Sequence, residues 1–147
     1  MANTRGENIL IFLAAALNGA GKPPGLTVNR ARRRPLDNAE LPMMSLYPVR
    51  EEVARATSSR TSPTVERTLR VQVRCRAVGQ DAAVDPLRAW AVKAVMADRS
   101  LAGLALATTE DSIEWESDDA SDADYAIASV DFLIRYTTNA GDLEKKQ

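Results

Sequence analysis

The chain has 147 residues, 45% of them hydrophobic, with nineteen Lys and Arg against twenty Asp and Glu, which suits one globular domain with its own core. It has no histidine and a single cysteine, so a histidine-based triad, a His-ligated zinc site and an internal disulfide are excluded. The near-zero net charge conceals a division. Residues 1–78 carry thirteen Lys and Arg against six Asp and Glu, a net +7, whereas residues 79–147 carry six against fourteen, a net −8. Such a chain either folds its charges against each other or offers them to other copies of itself.

Thr4 and Glu7 have the spacing of a capping box, and Ile9, Leu10, Leu13, Ala16 and Leu17 follow with helical periodicity. Gly19 is expected as the left-handed C-cap, and Gly21-Lys22-Pro23-Pro24-Gly25 stops the helix. The apolar run Ile9–Leu17 has some character of a targeting segment, but Glu7 spoils the basic region before it and the run is too short to span a bilayer. The protein is therefore expected to be made in a cytoplasm.

Leu26 and Val28 open a first strand that runs into Arg30, Arg32, Arg33 and Arg34. Four arginines in five residues could grip phosphates, but no aromatic residue is interleaved for base stacking, and the reading favours a patch facing protein. Leu41–Pro48 is a short apolar strand between prolines. Residues Val49–Thr57 fit either a helix or a strand, and the hairpin is preferred because the strand that follows needs an antiparallel partner. Ser58–Pro63 is its turn.

That following strand, Thr64–Ala77, alternates strictly. Val65, Leu69, Val71, Val73, Cys75 and Ala77 form one face, interrupted only by Arg67. Glu66, Thr68, Arg70, Gln72, Arg74 and Arg76 form the other, a half-buried strand displaying arginines on its wet side. Its length exceeds the usual strand, so one end is expected to project. Gly79–Val84 reads as a loop, with Asp85 as N-cap and Pro86 at the first position of a helix lined by Leu87, Trp90, Ala91, Ala94 and Val95. Leu101–Leu104 turns the chain into a strand through Leu106, Ile113 and Trp115, the last strand is Ala126–Tyr136, and 139–147 is a polar tail. Trp90 and Trp115 are both expected in the core.

The order α-β-β-β-α-β-β predicts one α+β domain: a mixed or antiparallel sheet of four to five strands, two helices on one face, and a protruding β-hairpin. The other face is left polar or for a partner. Glu110, Asp111, Glu114, Glu116, Asp118, Asp119, Asp122 and Asp124 form an acidic run without EF-hand register, so a solvated or partner-facing loop is preferred to a divalent-cation site. Cys75 is expected as a buried structural thiol. The residues assign no catalytic group, cofactor or metal ligand.

Several segments together resemble the tail terminator proteins of long-tailed bacteriophages. They are the proline-bounded Leu41–Pro48, the strand Arg67–Ala77, the helix Asp85–Ala91, and Leu101-Ala102-Gly103-Leu104 with its acidic strand. The closing Asp131–Thr138 with Gly141-Asp142 completes the set. The likeness covers most of the chain from about residue 41 and is one of pattern and order. It implies a non-enzymatic virion protein that forms a hexameric ring on the head-proximal end of the tail tube. Such a ring stops tube polymerisation and presents a docking surface to the head connector. Its partners would be further copies of itself, the tail tube protein and a neck protein, with no membrane and no sequence-specific nucleic acid. The candidate interface residues are Arg30, Arg32, Arg33, Arg34, Arg70, Arg74 and Arg76, facing Asp118, Asp119, Asp122 and Asp124. Another neck component, such as a head-completion or head–tail joining protein, is the alternative reading, and a nucleic-acid-binding accessory protein is the third.

Overall fold

A computed structural model describes residues 3–30, 41–54, 64–117, 125–139 and 141–143. These form helix α1 (Arg5–Leu17), strands β1 (Thr27–Asn29), β2 (Met43–Val53) and β3 (Thr64–Val78), helix α2 (Asp81–Met96), and strands β4 (Ala107–Ser117) and β5 (Tyr125–Asn139). The expected order and the α+β class are both observed. The five strands make one mixed sheet in the order β1-β2-β3-β5-β4, in which only β1 and β2 run parallel.

Thr4 caps α1 by accepting from the Glu7 backbone N–H at 3.1 Å. The Glu7 carboxylate does not return to the cap but turns to Arg30, so half of the capping box is diverted to a tertiary contact. The C-cap is Asn18, and the left-handed turn falls at Gly21 (φ +93°) rather than at Gly19. Buried Ile9, Leu10, Leu13 and Leu17 recur at helical spacing and set the face that packs on the sheet.

α2 begins five residues earlier than the sequence suggests, at Asp81, with Gln80 as an N-cap that makes no side-chain bond. Pro86 is thus the sixth helical residue and not the first. The Ala82-Ala83-Val84 stretch is a good helix former, and Val84, fully buried, adds a further turn to the packed stripe of Leu87, Ala91 and Val95. That burial outweighs the one backbone hydrogen bond that proline removes.

Leu41–Pro48 and Val49–Thr57 were expected as separate segments, but they share a single strand, β2, which pairs antiparallel with β3 across a register shift at Pro48/Arg50. β1 covers only Met43–Ser45 of β2, so Pro48 sits on an outer edge where its missing N–H breaks no ladder. β3 pairs along its whole length with β5, from Thr64↔Asn139 to Val78↔Tyr125. Even at its start Val65 remains buried, as do Tyr136 and Thr138 opposite, so the covered face continues to that end. The turn predicted at Ser58–Pro63 lies outside the described residues.

Both helices lie on the side of the sheet formed by the odd residues of β3 and the even residues of β5. Val71, Val73, Cys75, Ala128, Val130, Phe132 and Ile134 are completely buried there. Each large apolar side chain so buried contributes about 1.5–3 kcal/mol, which makes this face the main source of stability. After α2, Leu101 (φ +49°) and Ala102 (φ +57°) take the left-handed conformation that costs an L-residue roughly 1–2 kcal/mol. Two things offset it. Leu101 is fully buried, and the Asp98 carboxylate accepts from Ser100 N (3.0 Å), Ser100 Oγ (2.7 Å) and Ala102 N (2.8 Å).

Candidate functional site

The helix-free face of the sheet carries Arg70, Arg74 and Arg76 of the residues singled out from the sequence. Alternation along β3 sends Glu66, Thr68, Arg70, Gln72, Arg74 and Arg76 to that side, as expected. They do not stand there as a free row. Asp131 of β5, opposite Gln72, accepts from Gln72 Nε2 at 2.9 Å and from Arg70 at 3.0 Å. Tyr47 of β2 donates its hydroxyl to Gln72 Oε1. Arg70 also reaches Asp111 at 2.5 Å, because a bulge between Glu110 and Ser112 makes Asp111 the extra residue of β4. Its hydrogen bonds to Asp111 first and Asp131 second push the Arg70 pKa above its ordinary value. One chain of polar contacts therefore crosses β2, β3, β5 and β4.

Arg74 pairs with Glu116 of β4 at 2.8 Å, and Arg135 of β5 pairs with Glu66 at 2.8 Å. Arg30, just after β1, is held by Glu7 of α1, and that pairing lowers the Glu7 pKa. These contacts pair Arg30, Arg70, Arg74 and Arg135 with acids of the same chain. Arg76 departs further from the expected display. It is only 7% exposed, at one end of the helix-free face where Met43, Ser45, Ile127 and Ser129 are also buried. Arg32, Arg33, Arg34, Asp118, Asp119, Asp122 and Asp124 lie outside the described residues.

The two edges of the sheet differ. β4 forms one edge and carries Glu110, Asp111, Glu114 and Glu116 with no Lys or Arg. Asp111 and Glu116 are paired within the chain, whereas Glu110 and Glu114 are exposed and have no ion-pair partner among the described residues. β1 forms the opposite edge, and the chain leaves it through Arg30 toward the arginine-rich stretch. Trp115, expected in the core, is instead 46% exposed on β4, with the Arg88 guanidinium 5.3 Å from its ring centroid. β4 is an edge strand, so no further strand flanks Trp115 on its outer side. Trp90 is half-buried, and its indole N–H donates to the Leu17 carbonyl at 2.8 Å, tying α2 to the end of α1.

Burial pushes the Cys75 thiol up to about 12, so it stays protonated and is a poor nucleophile. Burial and the hydrogen bond to Glu51 push the Tyr136 pKa well above its usual value. Among the described residues no group of three His, Cys, Asp or Glu is placed to hold a metal ion. Nor is any described helix long and apolar enough to cross a membrane. Sequence reasoning missed Tyr47, Gln72 and Asp131 as members of the polar network. Their signal was the strand register, which sets Gln72 against Asp131 and Tyr47 against Gln72 and which periodicity alone does not give. Set beside known proteins, the chain matches no family model and no curated protein.

Proposed function

We infer that this chain is a structural subunit of a long-tailed bacteriophage, of the tail terminator type: a ring-forming protein that caps the head-proximal end of the tail tube and receives the head connector. One observation carries the reading. The strand order puts the acidic strand β4 at one edge of the sheet and the approach to the arginine-rich stretch at the other, with β2, β3 and β5 between. A subunit with unlike, complementary edges associates head to tail, and such an interface closes into a ring when the rotation per subunit allows it. The pairing of Arg30, Arg70 and Arg74 within the chain narrows the contact. On this reading the between-subunit charges are Glu110 and Glu114 of β4 with Asp118, Asp119, Asp122 and Asp124, facing Arg32, Arg33 and Arg34 of the next copy. Individual exposed pairs contribute only about 0–1 kcal/mol, so register and association rate are what a repeated set of them controls.

The test is electron microscopy of tails assembled with and without the protein. Overlong tubes in its absence are the expected result. Tails of normal length that fail to join heads would replace this reading with that of a head–tail joining protein. Reversal of Arg32, Arg33 and Arg34 to Glu is expected to impair ring formation, and reversal of Asp118, Asp119 and Asp122 to Lys in the same molecule to restore part of it.

A further inference from the structure

A second surface, away from both sheet edges, has the character of a peptide-docking site. Pro86, Ala89, Trp90 and Lys93 lie three, four and seven residues apart and so share one face of α2. Against them stands the turn that follows α1, with Lys22, Pro23 and Pro24. Together they enclose an open groove of about 350 Å³. Its walls are proline rings and the indole of Trp90. That indole is fixed, because its N–H is committed to the Leu17 carbonyl at 2.8 Å and its rim meets Gly21, where an added Cβ would lie 3.5 Å from the ring. The turn is held by Lys22 N donating to Gly19 O at 3.3 Å and Leu26 N to Pro23 O at 3.2 Å. The groove is therefore formed in advance, which lowers the ordering cost of binding.

Its charge is the second observation. Seven described arginines meet a carboxylate of the same chain: Arg30, Arg50, Arg67, Arg70, Arg74, Arg88 and Arg135. The two described lysines, Lys22 and Lys93, both line this groove, and neither pairs with a carboxylate among the described residues. Lys22 bonds only the neutral Asn18 side chain at 2.7 Å, and no acid lines the groove. The rim thus keeps two positive charges, whereas most of the described arginines are neutralised within the chain.

We propose that this groove binds an extended, proline-containing segment of another protein in which carboxylates flank the apolar residues. The prolines stack on Trp90 and Pro86, since a preformed extended segment suits an aromatic and proline-lined trough. The flanking carboxylates meet Lys22 and Lys93. This proposal is independent of the ring reading, because the lining residues belong to α2 and the turn after α1 and not to β1 or β4.

The experiment titrates the full-length protein carrying Trp115→Phe, so that Trp90 is the sole tryptophan and can be excited selectively at the red edge of the aromatic band. Two synthetic peptides of about ten residues share a Pro-Pro-Leu centre, one flanked by glutamates and the other by lysines. The acidic peptide is expected to shift Trp90 emission saturably and to bind at least about tenfold more tightly than the basic one. Lys22→Glu with Lys93→Glu, shown by circular dichroism to be folded, is expected to reverse that preference. Equal binding of both peptides overturns the proposal, as does no binding up to about 1 mM or an unchanged preference in the reversed variant. Phosphatidylglycerol vesicles form a further arm: lysine-dependent sedimentation with them, without peptide binding, would make the groove a membrane contact and would also overturn it.

Discussion

Asp131 and Phe132 are neighbours in β5 and point to opposite faces of the sheet, and what holds each face differs as sharply as the residues do. Phe132 is fully buried beneath the helices among side chains with no polar group to satisfy. Asp131 is the hub of a polar lattice, accepting from Arg70 and Gln72 and linked through Arg70 to Asp111. The covered face is held by area removed from water, which is large and indifferent to salt. Around Asp131 the helix-free face is held by partly exposed ion pairs, each small and screened. The arginine row that suggests a docking surface in the sequence is mostly internal reinforcement. On the proposed reading, partners meet the sheet edges and the groove beside Trp90.

Phe132→Ala should break this comparison at its strong side. The cavity left is expected to cost about 3–5 kcal/mol in urea denaturation, with little dependence on salt. Asp131→Ala, one residue away, is expected to cost only about 1–2 kcal/mol through the partners it strands, and that loss should shrink as salt is raised. Equal costs for the two would erase the distinction between the faces.

The same contrast recurs on a small scale in the turn after α2, where Leu101 holds from inside and Asp98 from outside. Hydrogen bonds from Ser100 and from the Ala102 backbone hold the Asp98 pKa below its ordinary value. A group depressed in the folded state contributes fully above its unfolded pKa of about 4, and the contribution is lost as pH falls through the folded value. Asp98→Ala should therefore be less stable than wild type at neutral pH. The two denaturation midpoints should converge as the pH drops toward about 2. A gap that persists in acid would assign the loss to something other than the carboxylate. The smallest effect belongs to Arg50, whose pair with Glu52 leaves 70% of its side chain exposed. Arg50→Ala should change stability by less than about 0.5 kcal/mol.

Where local chemistry and packing agree, the fold is legible from sequence. The alternation of β3, the Thr4 cap and the order of elements are all of this kind. Three features depend on neighbours instead. α2 starts early because Val84 gains burial that the Asp85-Pro86 signal cannot anticipate. β2 passes through Pro48 because β1 is too short to require an N–H there. Trp115 is exposed because β4 ends the sheet, and nothing in its own alternation says so. The polar lattice was hidden for a related reason: Asp111 reaches Arg70 only through a bulge, and a one-residue insertion in a strand leaves no mark in a row of acids.

Native mass measurement of the purified subunit tests most directly the claim that the two unlike edges of this sheet meet between copies. Wild-type protein should form a single closed species of six subunits that loosens as salt rises. Glu110→Lys with Glu114→Lys should remain folded and monomeric, since both side chains are exposed on β4 and form no ion pair with any described residue. If that variant closes into the same ring as wild type at the same salt concentration, the β4 edge is not the subunit interface and the account is contradicted.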